Sequence, residues 1–264
     1  MARDVDIKQL QGNAVRSDAG TAVPAVARAI AVLEALVLCR DGLSLTELAE
    51  RCSLAKSTAS NLLRTMVAGA LVTYEPKTRR YNLGTQLVEF GLAAVTRTTA
   101  VAEARPFMDR LAEQTQLACL AIQVMPDGHF TAIAKVESRK DIKITIDVGS
   151  RFERTTPLLS RLSAAWTDDS SSQAPQEVLA RIRAQGYGAA WGEYRPELNV
   201  VGFPVFDRDA RPNLFVTLVG IGADLTPETI DRMAGYLVEA AHAITTSSGG
   251  KLPADYPAVG SVRG

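Results

Sequence analysis

The sequence predicts an α+β protein in which a small, mostly helical block precedes a larger block built on an antiparallel sheet. Apolar residues recur at helical spacing from Pro24 to about residue 70, and two short extended segments follow. Between residues 119 and 222, alternating or continuously apolar runs of strand length are separated by turn residues. Helical patterns lie before, between and after those runs, which is typical of helices that cover an antiparallel sheet.

Composition restricts the classes of function. The 264 residues suffice for two modest domains, and the 29 basic residues balance the 29 acidic ones, so attraction to a polyanion must come from local clustering. Cys39, Cys52 and Cys119 are odd in number and lack CxxC spacing, which indicates neither a disulfide frame nor a zinc site. The first residues lack the apolar core of a signal peptide, and no run of about 18 apolar residues occurs. We therefore expect a cytoplasmic protein with no membrane partner.

The chain divides into five segments. Residues 1–22 are polar and aperiodic, and we expect them to form a disordered arm. Residues 23–84 form the first domain, residues 85–103 a linker helix, and residues 104–245 the second domain. Residues 246–264 are rich in Gly, Ser and Pro, which predicts a flexible tail.

The first domain has the pattern of three helices followed by a β-hairpin. Ser44 and Glu47 form a capping box that predicts the start of the second helix. A short turn at residues 52–54 precedes a third helix, which begins near Ala55. The extended segments ALVTYE and RRYNLG, joined by Pro76-Lys77-Thr78, predict a hairpin. This order of elements is that of a winged helix-turn-helix.

The third helix carries an unusual polar face. Ser57, Ser60, Asn61 and Arg64 follow each other at i, i+3, i+4 and i+7, and the opposite side is apolar. Ser, Thr and Asn are mediocre helix formers, so a helix that needed only a solvent-exposed polar face would favour Glu, Lys or Gln. Short polar side chains instead allow a helix to lie deep in a major groove about 12 Å wide. The pattern therefore predicts a DNA-recognition helix.

Local charge supports double-stranded DNA as the partner. Residues 51–81 contain six basic residues against Glu75 alone, a net charge of +5 in a neutral chain. Side chains of the third helix are predicted to reach into the groove, and neighbouring basic residues to contact phosphate. The groove set is Ser57, Thr58, Ser60, Asn61 and Arg64, and the phosphate set is Lys56, Lys77, Arg79 and Arg80.

These residues and several further segments resemble the IclR family of bacterial transcription regulators. The resemblance lies in "LSLTELAERCSLAKSTASNLLRTMVAGALV" and "RRYNLG", and continues through "KVES", "DVGSR", "GYG", "EYRPELNVVGFPVFD" and "LTPETI". It covers about residues 23–245. It implies that the second domain is a GAF-like effector domain, in which the sheet and its loops enclose a pocket for a small molecule.

The resemblance also implies where the effector pocket lies, and this chain departs from the family there. Relatives often carry a polar His-Ala-Thr segment where this chain has Thr155-Thr156-Pro157, a cysteine where it has Val200, and serines where it has Thr217 and Val219. The segment from Trp166 to Arg183 is also shorter than usual. The candidate effector-binding residues are Ser150, Arg151, Thr155, Trp191, Glu193, Val200, Phe203 and Thr217.

Two interpretations of these departures stay open. Loss of hydrogen-bonding groups would make an apolar pocket for an aromatic or hydrophobic effector. Alternatively, the pocket is degenerate, and the second domain serves only for oligomerisation. In either case we expect a homodimer or tetramer that binds a pseudo-palindromic operator, because a two-fold protein reads a two-fold site.

An enzyme with an appended nucleic-acid module is a third hypothesis, and the sequence gives it little support. Ser53 and Lys56 fit an SxxK pattern, but its partner motifs are missing, and the spacing falls on the helix-turn-helix turn. His129 and His242 are the two histidines, and neither has metal-ligand spacing to Cys, Asp or Glu. We therefore predict no catalytic residue, metal or cofactor. Loss of turnover, rather than of DNA affinity, in variants of the second domain would favour the enzyme.

Overall fold

A computed structural model describes residues 23–96, 99–138, 146–167 and 173–261 of the chain. The chain forms two compact units that divide between Ala94 and Val95. The arm predicted at residues 1–22 lies outside the described residues. The predicted fold class is confirmed: a winged helix-turn-helix comes first, and helices packed on an antiparallel sheet follow.

The N-terminal unit contains three helices, a three-stranded sheet and most of a fourth helix. The strands pair antiparallel in the order β1-β3-β2. The elements are α1 (Pro24–Val37), β1 (Leu43–Ser44), α2 (Leu45–Arg51), α3 (Lys56–Ala68), β2 (Val72–Glu75), β3 (Arg80–Leu83) and α4 (Gln86–Thr96).

The predicted capping box at the start of α2 is confirmed. The Ser44 hydroxyl accepts a hydrogen bond from the Glu47 amide at 3.3 Å, and the Ser44 amide donates to the Glu47 carboxylate at 2.8 Å. The bond from the Ser44 amide is the main reason why the pKa of Glu47 lies below its usual value. The cap places Leu48 and Ala49 in the core, where Leu48 packs with Leu63 of α3.

Helix α1 buries less of its apolar surface than its sequence suggests. Ala31, Val32 and Leu36 are buried, whereas Val26 is 56% exposed and Ile30 is 51% exposed. Helix α4 likewise exposes apolar side chains, with Phe90 at 56%. The N-terminal unit therefore has apolar surface that its own core does not use.

The linker region differs from the prediction of one helix over 85–103 and a second beginning at Pro106. Helix α4 ends at Thr96, and α5 (Thr99–Thr115) continues through Pro106. Proline costs a helix one hydrogen bond. The buried side chains of Ala104, Met108 and Leu111 share one face of α5, and their burial keeps the helix continuous.

The C-terminal unit is a six-stranded antiparallel sheet with helices on both faces. The strand order is β6-β5-β4-β9-β8-β7. After α5 the elements are β4 (Ala118–Val124), β5 (Phe130–Val136), β6 (Arg151–Phe152), α6 (Pro157–Ala164), α7 (Gln176–Gln185), β7 (Gly188–Trp191), β8 (Leu198–Phe206), β9 (Pro212–Ile221) and α8 (Pro227–Ser247). The sequence analysis missed β6, α6 and β7.

The sheet separates two apolar layers because successive side chains of a strand point to opposite faces. Val201 and Phe203 of β8 and Leu218 of β9 pack in one cluster with residues of α5 and α8. Leu120 of β4 and Phe215 of β9 belong to a second cluster, which includes residues of α6. The predicted strand over residues 142–149 is not found at 146–149, and residues 142–145 lie outside the described residues.

The prediction of a flexible tail from residue 246 is wrong for the described part of that segment. Helix α8 continues to Ser247, and the Lys251 amide then donates to the carbonyl of Asp207 at 2.9 Å. Tyr256 is buried, and its hydroxyl donates to the carbonyl of Gly186 at 2.8 Å. Its ring packs against Trp166 and Phe206. Burial of one aromatic residue is enough to hold a segment that Gly, Ser and Pro make loose on average.

Candidate nucleic-acid interface and ligand cavity

Helix α3 presents the predicted polar face to solvent. Its inner side buries Ala59, Leu63 and Met66 in the core of the N-terminal unit. The predicted groove residues lie on the other side. Ser57, Ser60, Asn61 and Arg64 are exposed, and Thr58 is half-buried.

Two of the exposed residues contact each other. The Arg64 guanidinium donates a hydrogen bond to the amide oxygen of Asn61 at 3.3 Å. The two positions are one turn apart, so this bond holds both side chains on one patch of α3. Guanidinium and carboxamide groups are the ones that make bidentate contacts to guanine and adenine edges.

The hairpin adds a basic tip. Strands β2 and β3 pair from Val72–Leu83 to Glu75–Arg80, and residues 76–79 form the exposed turn between them. Lys77 and Arg79 lie in that turn with exposed side chains. Lys56 is exposed at the first position of α3, so both elements offer cations to solvent.

Arg80, which was predicted to contact phosphate with these cations, is already bonded within the protein. Its guanidinium donates to the carbonyl of Gly42 at 2.7 Å and lies 3.5 Å from the Glu47 carboxylate. The side chain is therefore used to join β3 to the start of α2. The sequence alone could not separate it from Arg79, because the boundary between the turn, which ends at Arg79, and β3, which begins at Arg80, is known only from the structure.

The hairpin is fastened to the end of α3. The Gly84 amide donates to the carbonyl of Leu71 at 2.9 Å. A Cβ atom at Gly84 would lie 2.0 Å from the carbonyl oxygen of Ala70, so only glycine allows this approach. The end of the hairpin is consequently held against the segment that follows α3.

The C-terminal unit encloses a small apolar cavity between its sheet and α6. The cavity has a volume of about 40 Å³, and of the described residues that line it, none is charged. Its walls come from β4, β6, α6, β7, β8 and β9 and from the segments beside them. They are formed by Leu120, Ile122, Ile146, Phe152, Thr156, Pro157, Leu158, Leu159, Ala190, Tyr194, Val200, Thr217 and Val219.

Thr217 is the unusual residue in this lining. It is 1% exposed, and its hydroxyl has no hydrogen-bond partner among the described residues. A buried hydroxyl without a partner costs roughly 1–3 kcal/mol in protein mutational data. The cavity therefore contains a polar group that the folded chain leaves unsatisfied.

An ion pair and an aromatic pair lie next to the cavity lining. The Arg161 guanidinium donates two hydrogen bonds to the Glu193 carboxylate, one of them at 3.0 Å, and so joins α6 to the segment after β7. The ring of the adjacent residue, Tyr194, packs edge to face on Phe152 at a centroid distance of 5.8 Å. These contacts hold the β7–β8 connection over α6 and β6.

The predicted effector-binding residues divide between the cavity and other places. Val200 and Thr217 line the cavity, and Glu193 pairs with Arg161 beside it. Phe203 does not belong to it: the residue is 1% exposed in the cluster on the opposite face of the sheet. Val200 and Phe203 are three residues apart on one strand, so they must face opposite ways. The prediction missed this alternation.

The other predicted effector residues lie outside the lining. Arg151 forms an ion pair with Asp127 at 3.4 Å, and its neighbour Ser150 is half-buried. Thr155 is exposed, and Trp191 is 41% exposed. Leu120 and Ile122 also line the cavity but were not predicted to do so. They are two residues apart and so share one face of β4, as Thr217 and Val219 share one face of β9, and this spacing could have identified them.

Within the described part of the chain, no group of three or more His, Cys, Asp or Glu residues could hold a metal ion. None of its helices is long and apolar enough to cross a membrane.

The exposed recognition-type helix with its basic hairpin defines the protein class as a helix-turn-helix transcription regulator. Residues 25–76 match the family model for the IclR helix-turn-helix domain, and residues 169–246 match the one for the bacterial transcriptional regulator IclR C-terminal domain. The chain belongs to the IclR family of transcription regulators.

Individual relatives agree with this assignment. The HTH-type transcriptional regulator KdgR of Escherichia coli is 25% identical over 206 residues, which are 70% of this chain and 78% of KdgR. The crystal structure of an IclR transcriptional regulator from Alicyclobacillus acidocaldarius has a TM-score of 0.76 and 26% identity, and covers 87% of this chain and 100% of that one.

A third relative was solved with a small molecule. It is an IclR homologue from Microbacterium hydrocarbonoxydans complexed with 4-hydroxybenzoate, with a TM-score of 0.68 and 18% identity. The match covers 85% of this chain and 99% of that one. At this identity the match shows a shared fold.

Proposed function

We propose that α3 lies in the major groove of DNA while the β2–β3 turn lies along the backbone. The observation that carries this proposal is the exposed face of α3, where Ser57, Ser60, Asn61 and Arg64 are all accessible. These residues, with Thr58 at the margin, contact base edges. Lys56, Lys77 and Arg79 contact phosphates, and Arg80 positions β3 instead.

The protein acts as a homo-oligomer in this proposal. The exposed apolar side chains of α1 and α4 support it, because Val26, Ile30, Val88, Phe90 and Leu92 are each more than half exposed. Contiguous exposed apolar surface in a folded protein marks an interaction site. A symmetric pair of chains presents two copies of α3, which suits a pseudo-palindromic operator. An operator on bacterial DNA also places the protein in the cytoplasm.

Selection from a pool of random duplexes by the purified full-length chain tests the DNA proposal. We expect an inverted repeat whose half-sites are about 10 base pairs apart, or a multiple of that, because two recognition helices must face the same side of the duplex. Light scattering on the free protein and on its complex gives the number of chains. Enrichment of no motif, or of a single asymmetric site by a monomer, would contradict the proposal.

The C-terminal unit responds to a small-molecule effector in its apolar cavity, and it acts without catalysis. The uncharged lining favours an aromatic or otherwise apolar molecule. The relative that was solved with 4-hydroxybenzoate supports a small aromatic effector. Binding changes the spacing of the two recognition helices through residues 85–103, which requires that the effector binds one arrangement more tightly than the other.

The small volume of the cavity, about 40 Å³, favours a second candidate in which this unit serves only for oligomerisation. Thermal unfolding in the presence of aromatic acids and neutral aromatic compounds separates the two. A stabilising compound that also changes operator affinity supports the effector role. A tight ligand that leaves operator affinity unchanged contradicts it, and a panel without any stabilising compound favours the second candidate.

A further inference from the structure

We infer that the cavity selects an uncharged, mainly apolar molecule with one hydrogen-bonding group, and that the Thr217 hydroxyl binds that group. This inference rests on the proposed effector role and narrows the class of effector. It also assigns to Thr217 a specificity-determining role.

The first argument concerns the surroundings of Thr217. On one side it pairs with Leu120 of β4, and on the other with Gly202 of β8, and neither residue has a polar side chain. The methyl group of Thr217 points towards Gly202, where an added Cβ atom would lie 2.7 Å from it. Its neighbours in the sheet therefore supply no side-chain partner for the hydroxyl, and a molecule in the cavity can supply one.

The second argument concerns charge. An ionised carboxylate pays a large desolvation cost in an apolar site unless a cation pairs with it. Three arginines lie beside the lining. Arg161 donates two hydrogen bonds to Glu193, Arg151 pairs with Asp127, and the Arg195 guanidinium lies 5.9 Å from the centre of the Tyr194 ring. A carboxylate ligand would have to draw one of these groups away from its present partner, whereas a neutral hydroxyl or carbonyl group needs only Thr217.

The third argument concerns access. The cavity of about 40 Å³ holds a few water molecules, so a ring-sized molecule must displace part of the lining. Tyr194 is 42% exposed and follows Gly192, whose φ of 65° lies in the left-handed region. Outward movement of Tyr194 enlarges the space without disturbing the sheet that carries Thr217.

Three ring compounds that differ in one substituent test the inference: toluene, benzyl alcohol and benzoate. Dissociation constants are measured by ligand-observed NMR with the full-length chain. We expect benzyl alcohol to bind about fivefold more tightly than toluene, as one neutral hydrogen bond allows. We expect benzoate to bind at least about tenfold more weakly than benzyl alcohol, because its charge must be buried.

The variant Thr217→Val removes the hydroxyl and keeps the shape. It should bind toluene and benzyl alcohol equally, and its unfolding midpoint should rise by about 2–4 °C because an unsatisfied buried hydroxyl is lost. The matched control is Thr131→Val on β5, which is half-buried and outside the cavity lining. This control should keep the wild-type preference.

Several results would overturn the inference. They are benzoate binding as tightly as benzyl alcohol, a preference for benzyl alcohol that survives in Thr217→Val, and failure of all three compounds to bind the wild type. The effector role is tested separately by DNA affinity. If the compounds rank as expected and operator affinity does not change, the ligand class is right and the effector role is wrong.

Discussion

The exposed face of α3 and the cavity of the C-terminal unit use polar residues in opposite ways. On α3, four polar side chains within eight residues are displayed to solvent by a single helix. In the cavity, one unsatisfied hydroxyl lies among uncharged, mainly apolar side chains that come from segments between residues 120 and 219. The polar face of a helix can be predicted from the spacing of its residues in the sequence. The lining of a cavity depends on how the strands pair, which that spacing does not give.

The largest expected effect concerns the stability of the unit that contains the cavity. Tyr256→Ala removes a buried ring that contacts Trp166 and Phe206, and should cost the C-terminal unit about 3–5 kcal/mol of unfolding free energy. Both tryptophans of the chain, Trp166 and Trp191, lie in that unit, so urea unfolding followed by tryptophan fluorescence reports on it.

The control for this prediction is Tyr256→Phe, which loses only the bond to the carbonyl of Gly186 and should cost about 1 kcal/mol. A loss of about 1 kcal/mol in both variants would show that the ring contacts contribute little.

The next effect concerns the recognition face. Arg64→Ala should weaken binding to the selected operator by about 1–3 kcal/mol and relax the preference at one base pair, because a bidentate base contact is lost. Fluorescence anisotropy on the operator and on its single-base variants measures both. Equal losses on operator and random duplex would place Arg64 among the phosphate contacts.

A smaller effect concerns the support of that face. Ser44→Ala removes the side-chain cap of α2, which packs on α3, and should cost about 1 kcal/mol. Thr46→Ala, on an exposed position in the first turn of the same helix, is the matched control. Thermal unfolding followed by circular dichroism distinguishes them. Alanine has a higher helix propensity than threonine, so Thr46→Ala should be neutral or slightly stabilising; if it is as damaging as Ser44→Ala, the loss cannot be assigned to the cap.

The smallest effect separates two basic residues of the hairpin that the sequence treats alike. Lys77→Ala should weaken binding to all duplexes and reduce the slope of log affinity against log salt by about 1, since one phosphate contact is lost. Arg80→Ala should leave that slope unchanged, because its guanidinium binds Gly42 and Glu47 within the protein. Measuring the DNA affinity of each variant at three salt concentrations gives the slopes. A smaller slope in Arg80→Ala would show that Arg80 also contacts a phosphate.

Local patterns in the sequence predicted the first unit well. The capping box of Ser44 and the polar stripe of α3 each depend on neighbours within one or two helical turns, and both are found in the structure. The same patterns could not show that Arg80 is bonded within the protein, because its partner, Gly42, lies 38 residues away in the chain.

The cavity was harder to predict because its members meet only through strand register. The placement of Phe203 beside Val200 was wrong, since strand alternation sends them to different faces. The C-terminal segment packs on the domain partly through a long-range contact between Tyr256 and Gly186. No local composition encodes a contact of that range.

The close approach at Gly84 has a consequence for how such a protein changes its target. Because Gly84 packs against the carbonyl of Ala70, two residues after α3, the hairpin is fixed to the chain that leaves the proposed recognition helix. Replacing the exposed side chains of α3 can then redirect the protein to another sequence while its docking frame stays intact. Retargeting becomes a matter of a few surface substitutions rather than of redesigning the domain.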